Sequence, residues 1–219
     1  KMVSPNTPDS AEDASTSEDA TKSLNDVVIR MAGNSQDGIQ TIGAFLARLA
    51  GRSAQDVMTY MTIPSTISGG PSIFQVRMGT GDILSSGDEA DFLVTFYGHS
   101  YKDHIGALRK GGVLIYDSDH VDPDTSEIDC LAVGVPITSA TIEAVGGSAK
   151  EKGKNIFVLG LLCRLFDLEV AKLTKLISEK FGKFGEDVIR NTMLAFDAGY
   201  AWPADNIRDA YFKLKPASE

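Results

Sequence analysis

Asp26-Val27-Val28-Ile29-Arg30-Met31-Ala32-Gly33-Asn34-Ser35-Gln36-Asp37-Gly38-Ile39 is the stretch on which the fold turns. Its first part is a β-branched run passing straight into glycine, which predicts a buried strand. Beyond the loop 33–38, apolar residues recur at Ile39, Ile42, Phe45, Leu46 and Leu49, the spacing of a helix, and Gly51 supplies its stop. Strand, glycine loop and helix in that order open an α/β domain. Further strands are predicted over 57–63, 72–78, 91–97 and 113–116, and a shorter one over 130–137, which Pro136 makes an edge strand or a strand end. Helical patterns cover 99–110, 139–145, 155–166, 169–181 and 186–201. Buried strands alternating with helices imply a mainly parallel sheet covered on both faces.

The 219 residues accommodate one large domain with extensions. The boundaries read as an acidic, disordered leader over 1–23, an α/β domain over 24–203, and a linker or docking tail over 204–219 that includes Tyr211 and Phe212. A net charge of -9 argues against nucleic acid as a partner, because phosphate neutralisation needs clustered Lys and Arg. No apolar run reaches the roughly 18 residues of a membrane span, and the N-terminus lacks the basic-then-apolar order of a signal peptide. A cytoplasmic protein with no membrane partner is therefore expected. Two cysteines, Cys130 and Cys163, are too few for a disulfide framework or a cysteine-ligated iron-sulfur cluster.

In an open α/β sheet, ligands bind beyond the carboxyl ends of the strands. The loop 33–38 is the leading candidate there, because a short glycine turn entering a helix exposes backbone N-H groups and the positive end of the helix dipole. It is neither a Walker loop nor Gly-x-Gly-x-x-Gly, and Asp37 sets a carboxylate beside the proposed anion position. Ligand contact and simple tight packing both fit it. Ser68-Gly69-Gly70-Pro71 is, alone, an ordinary strand-entry turn. The acidic loop 117–124 fails the spacing of a calcium loop and reads as a solvated strand end, and His99 and His104, five apart, read as helix-surface histidines. Neither metal ligands nor a catalytic set emerges, and Cys163 reads as inert core.

The order of the pieces is more specific than any one of them. Residues 33–38, then Ile63-Pro64-Ser65-Thr66-Ile67-Ser68-Gly69-Gly70-Pro71, then Gln75-Val76-Arg77 resemble the gamma subunit or domain of 2-oxoacid:ferredoxin oxidoreductases. So do Ala90-Asp91, the run from Leu108-Arg109-Lys110-Gly111-Gly112 to Asp117, and Lys154-Asn155-Ile156-Phe157-Val158-Leu159-Gly160, the whole spanning about 26–200. The nearest variety is the gamma region that precedes the alpha region in a fused subunit acting on 2-oxoglutarate.

The resemblance implies a three-layer α/β/α domain of the type of domain III in pyruvate:ferredoxin oxidoreductase. It implies a component of an enzyme that oxidatively decarboxylates a 2-oxoacid to acyl-coenzyme A, or runs the reverse carboxylation. Ferredoxin is the electron acceptor, and thiamine diphosphate, Mg and 4Fe-4S clusters are held by the alpha and beta regions or other subunits. This domain would help to bind and cover coenzyme A, through Gly33, Asn34, Ser35, Gly38, Ser68, Gly69 and Gly70. The family loop usually reads Gly-x-Gly-Gly-Gln-Gly or Gly-x-Ser-Gly-Gln-Gly; here Gly33, Ser35 and Gly38 are kept, but Gln36 and Asp37 stand where Gly and Gln are expected. The departure either shifts the contact toward Asn34, Ser35 and 68–70 or marks a structural interaction domain that has lost the ligand. Charge is also uneven: residues 82–129 hold eleven acids against three bases, whereas 150–183 hold eight bases against four acids, with Lys150, Lys152 and Lys154 close together. That basic patch suits a polyanion such as the coenzyme A nucleotide, an acidic partner such as ferredoxin, or simply solvent.

Overall fold

The structure, a computed structural model, describes residues 26–34, 38–50, 57–63, 70–79, 89–146, 153–168, 170–207 and 209. The expected leader and most of the expected tail lie outside these residues. One sheet is built from β1 (Asp26–Asn34), β2 (Val57–Ile63), β3 (Pro71–Gly79), β4 (Ala90–Thr95), β5 (Leu108–Asp117) and β6 (Cys130–Val135), in the spatial order β2-β3-β1-β4-β5-β6. The pairings β1-β4, β4-β5 and β5-β6 are parallel, and β1-β3 and β2-β3 are antiparallel. The sheet is therefore mainly parallel, with a hairpin added at one edge.

Strand alternation sorts the apolar residues between two faces. Val27, Ile29 and Met31 of β1, Phe74, Val76 and Met78 of β3, Phe92 and Val94 of β4, and Val113 and Ile115 of β5 enter one large core. Five helices share it: α1 (Ile39–Ala50), then, after the short α2 (Gly98–His104), α3 (Ile137–Val145), α4 (Lys154–Leu165), α5 (Leu173–Phe181) and α6 (Glu186–Tyr200). The opposite face carries a smaller cluster of Leu93, Leu114, Tyr101 of α2 and Val121. Its cover is thin: α2, a 3-10 turn at Ile105–Ala107, and the segment between β5 and β6, where a parallel connection would ordinarily hold a helix. That segment is held down by Val121 and by the Tyr101 hydroxyl, which donates to the Asp124 carbonyl at 2.9 Å.

The helix expected over 99–110 is shorter, and β5 starts earlier, at Leu108. Gly106 weakens the helix, and Arg109, three residues on, finds a better partner in the sheet. Arg109 donates through Nε to the Asp91 carboxylate, which also accepts the Val28 backbone N-H at 2.8 Å. Asp91 thus ties β1, β4 and β5 together and draws 108–110 into the extended form.

α4 is buried almost throughout, including Ile156 to Cys163 and Leu165. A helix apolar on all sides belongs in the middle of a protein. It sits between the sheet and α6, where Gly160 and Gly199 bring the two backbones together. A Cβ on Gly199 would lie 1.8 Å from the Phe157 carbonyl oxygen, and one on Gly160 2.2 Å from that of Phe196. Cys163 lies in this core, and burial pushes its thiol up to about 12. Gly199→Ala forces α6 off α4 and should destabilise the fold by about 3 kcal/mol, the upper end for overpacking. Gly106→Ala, with nothing within 4 Å of the added methyl, is the control and should shift the urea midpoint little.

Candidate functional site

The carboxyl ends of β1, β4 and β5 lie along one edge of the sheet, where loops converge. Of the residues singled out in the sequence, Gly33 and Asn34 complete β1 and pair with Ser72 and Pro71 at the start of β3. The antiparallel register therefore brings Gly70, just before Pro71, to the end of β1, so that the two glycine-containing turns share one edge. Gln40, in the first turn of α1, reinforces the junction by donating through Nε2 to Ser72 Oγ at 3.1 Å and to the Ile73 carbonyl at 3.2 Å. Ser35, Ser68 and Gly69 lie outside the described residues, as do Lys150 and Lys152.

Gly38 opens α1, its carbonyl accepting from the N-H groups of Thr41 and Ile42. Its φ of +68° favours glycine, and an added Cβ would stand 2.4 Å from Asn155 Nδ2 at the start of α4. The loop's end is thus packed against α4. Behind Asn155 lies a cavity of about 210 Å³, lined also by Gly153, Phe181, Val188, Asn191 and Thr192.

Side chains that the motif reading did not combine gather beside this loop. Lys154, the first residue of α4, is only 4% exposed. Its Nζ donates to the Tyr97 hydroxyl at 2.5 Å and lies 4.6 Å from the Tyr97 ring centre and 5.8 Å from that of Phe96. Tyr97, just past β4, stacks on His99 with ring centres 5.5 Å apart and planes 7° from parallel, and has His120 on another side at 5.6 Å. His99 Nε2 lies 3.0 Å from Asn34 Oδ1, which makes that nitrogen the N-H donor. Lys154 is therefore not part of a solvated basic face, and His99 is exposed but engaged. His104, by contrast, lies near Arg30 at 3.4 Å on the other sheet face; burial, then the guanidinium, hold its pKa below the ordinary histidine value. Of the two histidines expected on a helix surface, His99 is thus exposed at the strand ends and His104 half-buried beside Arg30.

The acidic loop after β5 is not uniformly solvated. Asp117 is fully buried and accepts from Thr138 Oγ1 at 2.6 Å and from the Asp119 N-H at 3.1 Å. Asp119 accepts from the backbone N-H and the hydroxyl of Ser139 at 2.7 and 2.8 Å, satisfying the opening turn of α3. Burial works against the Asp119 anion, but the two bonds from Ser139, with His120 adding to them, outweigh it and hold the carboxyl below its usual range. These carboxylates fix the loop that carries His120. Among the described residues no cluster of His, Cys, Asp and Glu is arranged to hold a metal ion, and no helix is long and apolar enough to cross a membrane.

Comparison with known proteins agrees with this architecture. The profile of the family described as Pyruvate ferredoxin/flavodoxin oxidoreductase matches residues 28–202. The chain is 30% identical to the 2-oxoglutarate oxidoreductase subunit KorA of Mycobacterium tuberculosis over 89% of its own length and 34% of that protein, so it spans about a third of this curated relative. A 2-oxoglutarate:ferredoxin oxidoreductase from Magnetococcus marinus, solved with 2-oxoglutarate, coenzyme A and succinyl-CoA bound, superposes with a TM-score of 0.71 at 28% identity, over 89% of this chain and 32% of that one. The gamma subunit of a keto/oxoacid ferredoxin oxidoreductase from Geobacter sulfurreducens shares the fold, with a TM-score of 0.60 at 22% identity, over 81% of this chain and 98% of that one.

The depressed pKa of Asp119 gives a signed expectation. Its carboxylate stabilises the folded state above the ordinary carboxylate range, and this contribution is lost as the pH falls through the lowered folded-state pKa. Asp119→Asn should therefore be less stable than the wild type at about pH 7, and the gap should close below about pH 4. Urea unfolding across that range measures the difference, and a gap that does not change with pH contradicts the assignment.

Proposed function

The chain belongs to the pyruvate ferredoxin/flavodoxin oxidoreductase family, and from that premise we propose that it is the gamma region of a 2-oxoacid:ferredoxin oxidoreductase acting on 2-oxoglutarate. The observation that supports this most is one of extent. The same chain accounts for nearly all of a separate gamma subunit's fold but only about a third of KorA, as a gamma region fused into a longer subunit would. The substrate follows the two relatives of 28–30% identity, both of which are named for 2-oxoglutarate.

The region's work in this reading is to bind and cover coenzyme A while acyl transfer proceeds elsewhere, in either direction of the reaction. Gly33, Asn34, Ser35, Gly38, Ser68, Gly69 and Gly70 form the contact, backbone N-H groups being the natural donors of a glycine turn. Thiamine diphosphate with Mg supplies the carbanion chemistry of decarboxylation when bound by the alpha and beta regions. The residues here do not fit a 4Fe-4S cluster: one cysteine lies in β6, the other inside α4, and the sequence has no more. The clusters, and delivery of electrons to ferredoxin, therefore belong to the partners. Two free cysteines suit a reducing cytoplasm.

A second reading, a structural interaction domain of the same complex without ligand, draws support from the packing of Gly38 against Asn155. Coenzyme A titration of the assembled enzyme separates the two. Under the first, Ser35→Ala and Ser68→Ala, which each remove a hydroxyl, and Gly69→Ala, which adds a methyl group to the turn, raise the half-saturating coenzyme A concentration by about three- to tenfold, the scale of one hydrogen bond. Unchanged saturation in all three variants favours the structural role.

A further inference from the structure

β6 is the last strand of the sheet, and among the described residues no strand pairs with its outer edge. We infer that this edge joins the same edge of a second copy of the chain, antiparallel and about a two-fold axis at Val133. The inference stands on the backbone and side chains of β6 and is independent of the coenzyme A reading.

The ladder with β5 decides which backbone groups of β6 point outward. The Val135 carbonyl accepts from the Ser118 N-H at 3.0 Å, so Val135 faces β5, and the unbroken register from Gly112 with Cys130 to Asp117 with Val135 puts Leu131 and Val133 in the same phase. Successive residues of a strand turn their N-H and C=O groups to opposite sides, so Ala132 and Gly134 present theirs at the edge. Two neighbours bound this pair. The Cys130 N-H is already taken by the Ile128 carbonyl at 3.0 Å, and Pro136 has no N-H to give. The side chains offer no protection: Cys130-Leu131-Ala132-Val133-Gly134-Val135 carries no charge, no proline and no bulge, the devices that ordinarily keep an edge from pairing. Leu131 and Val133 are half-buried against the large core, and Cys130 and Ala132 against the smaller one, whereas Val113, Leu114 and Ile115 of β5 are fully buried. Both apolar layers run on to this edge and stop half covered.

The edge is complementary to itself in one register. Ala132 opposite Gly134 of the second copy, and the reverse, makes four N-H to C=O bonds and uses every outward N-H of Ala132 and Gly134 in both strands. The same register sets Val133 opposite Val133 and Leu131 opposite Val135, apolar pairs that continue the large core across the axis. At the ends Asp129 stands opposite Ile137, so no like charges meet. A shift either way leaves groups unpaired. With Ala132 opposite itself, the Gly134 carbonyl meets the occupied Cys130 N-H; with Gly134 opposite itself, the Ala132 carbonyl meets Pro136. That self-complementarity, in a strand with no charge to select a different partner, assigns the edge to a second copy.

Sedimentation of the full chain over about 1–100 μM should show a reversible monomer-dimer equilibrium, the affinity expected of a small interface. The register is read by cross-linking. Opposed residues of a non-hydrogen-bonded antiparallel pair stand about 4.5 Å apart at Cα, within disulfide reach, so Val133→Cys should give a covalent dimer on mild oxidation. Leu131→Cys, four residues from its own copy along the strand or about 13 Å, should not, and neither should the native Cys130. Ala132→Pro deletes an N-H that the fold does not use and should weaken dimerisation by about tenfold or more, since two hydrogen bonds are lost about the axis. A chain that stays monomeric throughout that range overturns the inference. So does a dimer in which Val133→Cys and Leu131→Cys cross-link alike or not at all, whether or not Ala132→Pro folds. If the chain is monomeric and the N-H groups of Ala132 and Gly134 gain protection from hydrogen exchange only when the rest of the oxidoreductase is added, the edge receives a strand of another partner and the self-pairing is overturned.

Discussion

The close passage of α4 over α6 is the constraint on which the rest depends. Gly160 and Gly199 let the two helix backbones approach to a distance that no side chain would allow, and α4 is thereby pressed into the space between α6 and the sheet. Because α4 is apolar around its whole circumference, it is stable only there. Its position then sets two other things. Asn155 meets Gly38 and so aligns the start of α1 with the start of α4, and Lys154 is carried to the carboxyl edge of β4, where it reaches Tyr97. A core packing decision and a polar cluster are consequences of the same helix placement.

Much of the fold was legible because it depends on short-range patterns. The β-branched run 27–32, the spacing of Ile39, Ile42, Phe45 and Leu46, and the helix 186–200 each carry their own periodicity, and the structure forms all three where expected. The helix expected over 99–110 fails for a non-local reason. Residues 108–110 have no strand signal of their own, and it is Asp91, in another strand, that draws Arg109 into extended pairing. The cover of the second face was equally hidden. A loop anchored by Val121 and by the Tyr101 hydroxyl replaces a crossover helix, and neither contact has a sequence period.

The candidate site was legible in its location more than in its members. The glycine turns point to the carboxyl edge of the sheet, and the register of Asn34 with Pro71 brings Gly70 to the end of β1 there. Lys154 was visible as one of three closely spaced lysines, which reads as a solvated patch; burial comes only from knowing that its helix is internal. Tyr97 and His120 carried no motif at all. The single hint was compositional, a lysine and an asparagine opening an otherwise apolar helix, where charged residues are rarely buried without a partner. His99 and His104, both expected on a helix surface, differ in setting: α2 leaves His99 exposed at the strand ends beside Asn34 and His104 half-buried beside Arg30.

Formal charge misstates the electrostatics of this edge. The segment 82–129 counts as strongly acidic, which would repel any phosphate from the ends of β4 and β5. Yet several of those carboxylates are committed to internal donors: Asp91 to Arg109 and the Val28 N-H, Asp117 to Thr138, Asp119 to Ser139, and Asp124 to Ser126. A carboxylate accepting hydrogen bonds from fixed donors projects a weaker field than a free one, and exposed charges beyond about 10 Å are screened at ordinary ionic strength. The sum of the segment is therefore a poor guide to the field at the ends of β4 and β5, where Asp91, Asp117 and Asp119 are each held by fixed donors.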